Sequence, residues 1–226
     1  MSSTIAVPQR VLQDKVPGAR LEAVSLPETP IKLWLLNADY PQHLLSQETV
    51  EALMDDPPYW AFCWASGWAL ARWIGAHSDA FKDRDIVDFG CGSGVAGIAA
   101  FMAGARSVIF CDSDEDALQS VRDNVLLNQL DSTALSFCAD YDALQTDHDA
   151  ICLVSDVFYD AQNLPLLEAM KRDFEWVVVA DSRLRGRSLP GLAHWETVPS
   201  TTLPDLNEDD HFNRVEIHLN RPLSTG

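Results

Sequence analysis

Four aspartates stand where short apolar runs end: Asp88, Asp112, Asp140 and Asp156. Around the first lies Ile86-Val87-Asp88-Phe89-Gly90-Cys91-Gly92-Ser93-Gly94-Val95-Ala96-Gly97, in which β-formers give way to alternating glycines and then to an alanine-rich stretch. That order reads as a buried strand, a tight turn and the start of a helix. Glycine lets a backbone approach a ligand closely, and the N–H groups at a helix start favour negative charge. A ligand with a ribose and an anionic group suits such a place. In an open parallel sheet the carboxyl ends of the strands border the ligand crevice. One aspartate there is readily a helix N-cap, but four at successive strand ends point to a shared site.

The elements that must position these residues can be read around them. From residue 85 onward the sequence predicts strands over 86–89, 107–112, 134–139, 150–155 and 175–180, alternating with helices over 95–103, 115–127 and 162–172. Near-continuous apolar strands of this kind imply a parallel sheet covered on both faces. Two further β-like runs, 195–202 and 212–219, flank the polar linker 204–210 and need no helix between them. They predict a terminal hairpin and hence one antiparallel strand. Upstream, Pro8, Pro17, Pro27 and Pro30 argue against a long helix before residue 30. Residues 31–36 read as a strand. Ser46-Gln47-Glu48-Thr49 reads as a capping box opening a short helix that Pro57-Pro58 stops. Residues 58–74 are dense in tryptophan, a loop followed by a helix from 66 to about 75. Trp60 and Trp64 fall in the loop, where they either line a pocket or pack as core. The fold expected is α/β: a Rossmann-like seven-stranded mixed sheet, mostly parallel, with one antiparallel strand and flanking helices. One domain covers 1–226, with 1–57 an N-terminal extension and 58–226 the cofactor-binding and catalytic core.

Composition narrows the function. The net charge of −18 repels phosphate backbones, and the basic residues cluster only at Arg183-Leu184-Arg185-Gly186-Arg187, so nucleic acid is not an expected partner. The same field attracts cations, although acidity also serves plain solubility. No apolar run reaches the roughly 18 residues needed to span a bilayer, and no basic segment followed by an apolar core opens the chain. The five cysteines form no CxxC pair and the six histidines no metal-binding spacing. Free buried thiols in a reducing compartment, no metal and a cytoplasmic location are therefore expected.

The glycine loop fits two patterns. Gly92-Ser93-Gly94-Val95-Ala96-Gly97 satisfies GxGxxG with Asp112 some 20 residues on, the dinucleotide fingerprint of nicotinamide enzymes. Asp88-Phe89-Gly90-Cys91-Gly92-Ser93-Gly94 satisfies the S-adenosylmethionine pattern of class I methyltransferases. Features outside the loop favour the second. The loop strand begins only after some 85 residues, a hairpin ends the chain, and the fourth strand closes with Asp156-Val157-Phe158-Tyr159.

With those residues in view, the chain resembles the seven-β-strand S-adenosylmethionine-dependent methyltransferases. Within them it resembles the lysine methyltransferases of the electron transfer flavoprotein β-subunit. The resemblance rests on Pro58-Tyr59-Trp60-Ala61-Phe62-Cys63-Trp64, on residues 88–100 and on Asp156-Val157-Phe158-Tyr159, and it covers roughly 58–180. It implies S-adenosylmethionine as cofactor, with Asp88 and the backbone of Gly90, Gly92 and Gly94 facing its methionine end. By the same resemblance Asp112 accepts from both ribose hydroxyls, Asp140 sits by the adenine amino group with Tyr141 at the pocket edge, and Trp64 covers the cofactor. Asp156 orients a substrate amine, while Phe158 and Tyr159 wall its channel. The implied activity is protein-lysine N-methylation, with the electron transfer flavoprotein β-subunit as the first partner to try. Methylation of a small amine or a nicotinamide-like pyridine is the alternative. A non-catalytic relative and a nicotinamide oxidoreductase rank below both.

Overall fold

The computed structural model describes residues 6–41, 47–158, 160–184, 186–206 and 209–223. Its centre is a seven-stranded sheet made of β3 (Asp85–Phe89), β4 (Ser107–Cys111), β5 (Leu135–Cys138), β6 (Ile151–Ser155), β7 (Trp176–Asp181), β8 (Ala193–Pro199) and β9 (Arg214–Leu219). The spatial order is β5-β4-β3-β6-β7-β9-β8. Strands β3 to β7 are parallel, and β9 runs antiparallel between β7 and β8. The sequence direction reverses beside β3, between β4 and β6, which is where an open sheet leaves a crevice.

Side chains alternate across each strand, so the sheet has two cores. Ile86, Val108, Leu153 and Val178 face α3 (Ala65–Ala76), α4 (Val95–Met102) and α5 (Glu115–Leu127). Val87, Cys152, Val154, Val177 and Val179 face α6 (Leu164–Asp173) together with Leu184 and Leu189. The second face carries less helix than strict alternation predicts. Residues 139–150, joining β5 to β6, hold only a single 3-10 turn at Tyr141–Ala143. The hairpin forms as expected, but its strands are shifted. β8 ends at Pro199, and Leu203 beyond it pairs with Cys63 through two 2.8 Å backbone hydrogen bonds.

The N-terminal region departs most from expectation. Residues Ala6–Lys15 form a ten-residue helix, α1, despite Pro8. Proline in the first turn forfeits no intrahelical N–H bond, and that position is the one a helix tolerates. Leu21–Ser25 forms β1, which pairs antiparallel with β2 (Lys32–Leu36) as a separate two-stranded sheet. β2 is held to α5 by amide side chains that imitate a strand. Asn124 Oδ1 accepts from Trp34 N–H at 2.7 Å, and Asn128 accepts from Lys32 N–H at 2.9 Å while donating to Lys32 C=O at 2.6 Å. Leu33 and Leu35 thereby enter the main core. The short helix before the prolines is α2 (Gln47–Asp55); Ser46, the proposed cap, lies outside the described residues. Among the described residues no helix is long and apolar enough to cross a membrane.

One close contact sets the height of α4 above the sheet. A Cβ on Gly97 would stand 2.4 Å from the Phe110 ring and 2.9 Å from an Asp88 carboxylate oxygen. Any side chain there pushes α4 off β3 and β4. Gly97→Ala is expected to destabilise the fold by about 1–3 kcal/mol, the usual cost of overpacking, lowering the melting temperature by several degrees in calorimetry. An unchanged melting temperature would show that the helix can shift freely.

Candidate active site

The glycine loop is a left-handed staircase. Gly90, Gly92 and Gly94 have φ of 64°, 50° and 77°, a region that side-chain-bearing residues rarely adopt. Gly94 is the N-cap of α4, and a Cβ on it would strike Val121 of α5 at 2.8 Å. Gly92 is different: nothing lies within 4 Å of where its Cβ would be, so the loop is open there.

That opening belongs to a cavity of about 740 Å³, within the range of small-molecule sites. Gly90 to Ser93, Val95, Asp112, Asp140 and Tyr141 line one part of it. Tyr59, Trp60, Trp64, Asp156, Val157 and Arg183 line another. The strand ends and the loop before α3 thus meet at one place, and both tryptophans reach it.

Asp112 follows β4 directly and is mostly buried. Its two carboxylate oxygens accept from Gly92 N–H at 2.9 Å and from Asp114 N–H at 3.0 Å. Burial raises its pKa, and those two bonds oppose the rise. The carboxylate is therefore fixed in orientation with lone pairs left toward the cavity, a suitable partner for a pair of hydroxyls. Asp140 is exposed and caps the 3-10 turn by accepting from Asp142 N–H at 3.0 Å. Tyr141 stands edge-on to Phe89 at 5.7 Å, and its hydroxyl donates to Asp173 at 3.0 Å. Burial and that carboxylate both raise the phenol pKa. Trp64 is the N-cap residue of α3, and its indole N–H donates to Tyr59 C=O at 2.9 Å.

Asp156 is the most constrained residue of the group. It takes φ of 52°, and its Oδ1 accepts from Ser66 Oγ at 2.6 Å, Ser182 Oγ at 3.1 Å and Ser182 N–H at 3.3 Å. Burial raises its pKa, while Ser66, Ser182 and the nearby Arg183 pull it down.

Three expectations need correction. Asp88 does not face the cavity: it is 1% exposed and accepts from Gly97 N–H at 2.8 Å, tying β3 to α4 from below. Gly90 and Gly92 line the cavity but Gly94 does not, and the N–H groups of all three are bonded within the protein, to Cys111 C=O, Asp112 and Cys91 C=O. Phe158 does not reach the cavity either; it is fully buried in the core beneath α6, and Val157 takes the lining position. Tyr159 lies outside the described residues. Ser66, Ser182 and Arg183 were not foreseen. Among the described residues no cluster of acids, histidines and cysteines could hold a metal.

Solved structures share this architecture. A protein described as an RNA methyltransferase from Pyrococcus horikoshii aligns at TM-score 0.52 and 17% identity over 68% of this chain and 81% of its own. A methyltransferase complexed with SAH aligns at 0.50 and 10% identity, over 68% of this chain and 48% of its own. Both establish the fold. In sequence, residues 73–158 match the model of the ribosomal protein L11 methyltransferase family. An electron transfer flavoprotein beta subunit lysine methyltransferase of Xenopus laevis is 31% identical over 203 residues, covering 86% of this chain and 80% of that protein. A homolog of that enzyme in Caenorhabditis elegans is 35% identical over 146 residues, 59% of this chain and 57% of its own length. Fold, cavity and relatives together define a class I S-adenosylmethionine-dependent methyltransferase. Within that class the chain belongs to the family of electron transfer flavoprotein β-subunit lysine methyltransferases.

Asp88 makes its own stability signature. Burial, and to a smaller extent Asp112, raise its pKa to about 7, against the pull of the Gly97 bond. A raised carboxylate pKa gives stability that is complete below the unfolded value and lost as pH rises toward the folded one. Asp88→Asn keeps an acceptor for Gly97 but cannot ionise. Its stability relative to the parent is expected to rise by up to about 1.4 kcal/mol per pH unit between about pH 4 and pH 7, measured by denaturant unfolding. A difference independent of pH would exclude ionisation of Asp88.

Proposed function

We propose that this chain methylates the ε-amine of a lysine in a protein substrate, with the electron transfer flavoprotein β-subunit as the first candidate. One observation carries the reading: a half-buried carboxylate, Asp156, is held by two serines in the same cavity as Asp112 and the open glycine loop. The names of the relatives support the protein substrate.

S-adenosylmethionine supplies a methyl group carried on a positively charged sulfur. The cavity fits it in kind: Asp112 for the ribose hydroxyls, Asp140 and Tyr141 beside the adenine, and Ser93 with the start of α4 for the carboxylate. Trp64 shields this side from water. The protein's remaining task is to present a neutral amine in line. A lysine of ordinary pKa costs roughly 4–5 kcal/mol to deprotonate at pH 7. Asp156 accepts one amine N–H and so aims the nitrogen lone pair; its fixed orientation does the work of alignment, the largest contribution available to a displacement at carbon. Ser66 and Ser182 keep the carboxylate from turning away. Val157 takes the wall position first expected of Phe158, with Tyr159 two residues further on in sequence.

Residues 1–226 are read as one catalytic unit, since Leu33 and Leu35 pack in the same core as α3 and α4. The free cysteines suit a reducing compartment such as the cytoplasm.

Isotope-labelled S-adenosylmethionine, offered with purified electron transfer flavoprotein and with a panel of small amines, is expected to label a lysine of the protein. Asp156→Asn, which tolerates positive φ, should lower turnover by at least about 100-fold, within the range of lost alignment, and leave calorimetric affinity for S-adenosylhomocysteine near that of the parent. Asp112→Ala should instead weaken that affinity about tenfold or more, the loss of hydrogen bonds to a charged acceptor. Label only on small amines would overturn the protein-substrate reading, and full turnover by Asp156→Asn would remove Asp156 from the chemistry.

A further inference from the structure

Asp181, the last residue of β7, and the two residues that follow it form a bracket beside Asp156. Asp181 accepts the backbone N–H of Arg183 at 2.7 Å, and Ser182 gives Asp156 both its N–H and its hydroxyl. Arg183 then lies in the cavity wall. Its guanidinium sits 4.4 Å over the Phe212 ring and 5.9 Å from the ring of Trp64. Stacking of this kind confines a cation to one place, and an arginine stays charged at any working pH.

A fixed cation here is unexpected on charge alone. The chain carries a net charge of −18, and a wall of carboxylates alone would welcome a lysine as its ammonium ion. Asp156 by itself has that fault: an opposite charge beside an amine favours the protonated, unreactive form. A guanidinium in the same wall acts in the opposite sense.

Resting on the amine-methylation reading above, we propose that Arg183 sets the charge state of the substrate nitrogen. Its guanidinium repels the ammonium form, so that the neutral amine is the species the wall accepts beside Asp156. The same charge favours the ionised form of Asp156, which lets that carboxylate accept rather than donate. Among the described residues, the other titratable groups on the elements around this corner are Asp181 on β7, Asp205, Asp209, Asp210 and His211 between β8 and β9, and Tyr59 before α3. Arg187 follows on the same loop, and Asp112, Asp114, Asp140 and Tyr141 line the same cavity. His211 stacks on Phe212 at 4.0 Å, and its ring nitrogen lies 3.9 Å from Asp209.

The test is steady-state kinetics with purified electron transfer flavoprotein β-subunit from about pH 6.5 to 9.5, on the parent, Arg183→Met and Arg183→Lys. Loss of the charge should move the acid limb of kcat upward by about one pH unit, a tenfold fall in kcat at pH 7, with the high-pH plateau kept within about twofold. KM at pH 7 should stay level or fall, because the ammonium form is no longer repelled. Arg183→Lys should follow the parent. A merely structural role gives a different pattern: kcat falls equally at every pH, KM rises, and lysine does not rescue; that pattern overturns the proposal. Affinity for S-adenosylhomocysteine and melting temperature report whether the methionine variant folds, with Arg183→Gln as its replacement if it does not. A parent enzyme that methylates no amine would overturn the function itself and this inference with it. A working parent with a pH-independent defect in the variant overturns only the role of Arg183.

Discussion

The site depends on how closely α4 can approach the strands beneath it. Gly97 allows the approach by having no side chain, and Asp88 secures it by accepting the Gly97 N–H from inside the sheet. The next turn up, Asp112 reaches across from β4 and takes the Gly92 N–H. Two carboxylates from neighbouring strand ends thus hold the glycine loop and the helix it opens, the first through α4 from below and the second through Gly92 from the side. The loop's positive φ angles then cost nothing that an ordinary residue would have to bear, and the cavity floor is set before any ligand arrives. Moving α4 outward by a fraction of an ångström would slacken both bonds together.

Much of this was legible in the residues. Apolar β-formers ending in aspartate gave the strands, and a hairpin could be read from two β-like runs with only a polar linker between them. Asp112 and Asp156 were identifiable because a carboxylate at a strand end has few other reasons to recur. What escaped was whatever depends on backbone direction after a strand has ended. Asp156 turns the chain through a left-handed conformation, so the two-residue alternation restarts there; Val157 goes to the cavity and Phe158 to the core. Asp88 was misread for a related reason. It lies inside β3, one residue before the strand closes, so its side chain falls within the protein. Ser66 and Ser182 reach Asp156 across 90 and 26 residues, distances over which no local pattern speaks. Helix α1 was hidden because a proline count ignores where in the helix the proline falls.

The cavity is a place of managed carboxylates. Burial raises the pKa of Asp88, Asp112 and Asp156 alike, yet each meets it differently. Asp88 has one backbone donor, and its pKa rises to about 7. Asp112 has two backbone donors. Asp156 has two hydroxyls and a backbone donor, with the charge of Arg183 nearby. The number and strength of donors rises from the residue that only supports the loop to the residue placed where an amine would arrive.

Asn124 gives the N-terminal hairpin a part in all this. One amide donates to Ser93 C=O in the glycine loop at 2.9 Å and accepts from Trp34 in β2 at 2.7 Å. During synthesis β2 leaves the ribosome some ninety residues before the asparagine that receives it. The emerging chain therefore carries an unclaimed strand edge for that whole interval, a surface open to wrong pairing with other nascent chains. The short partner β1 takes up the opposite edge of β2, so the pairing within the hairpin halves the open backbone and leaves the other half to wait for its asparagines.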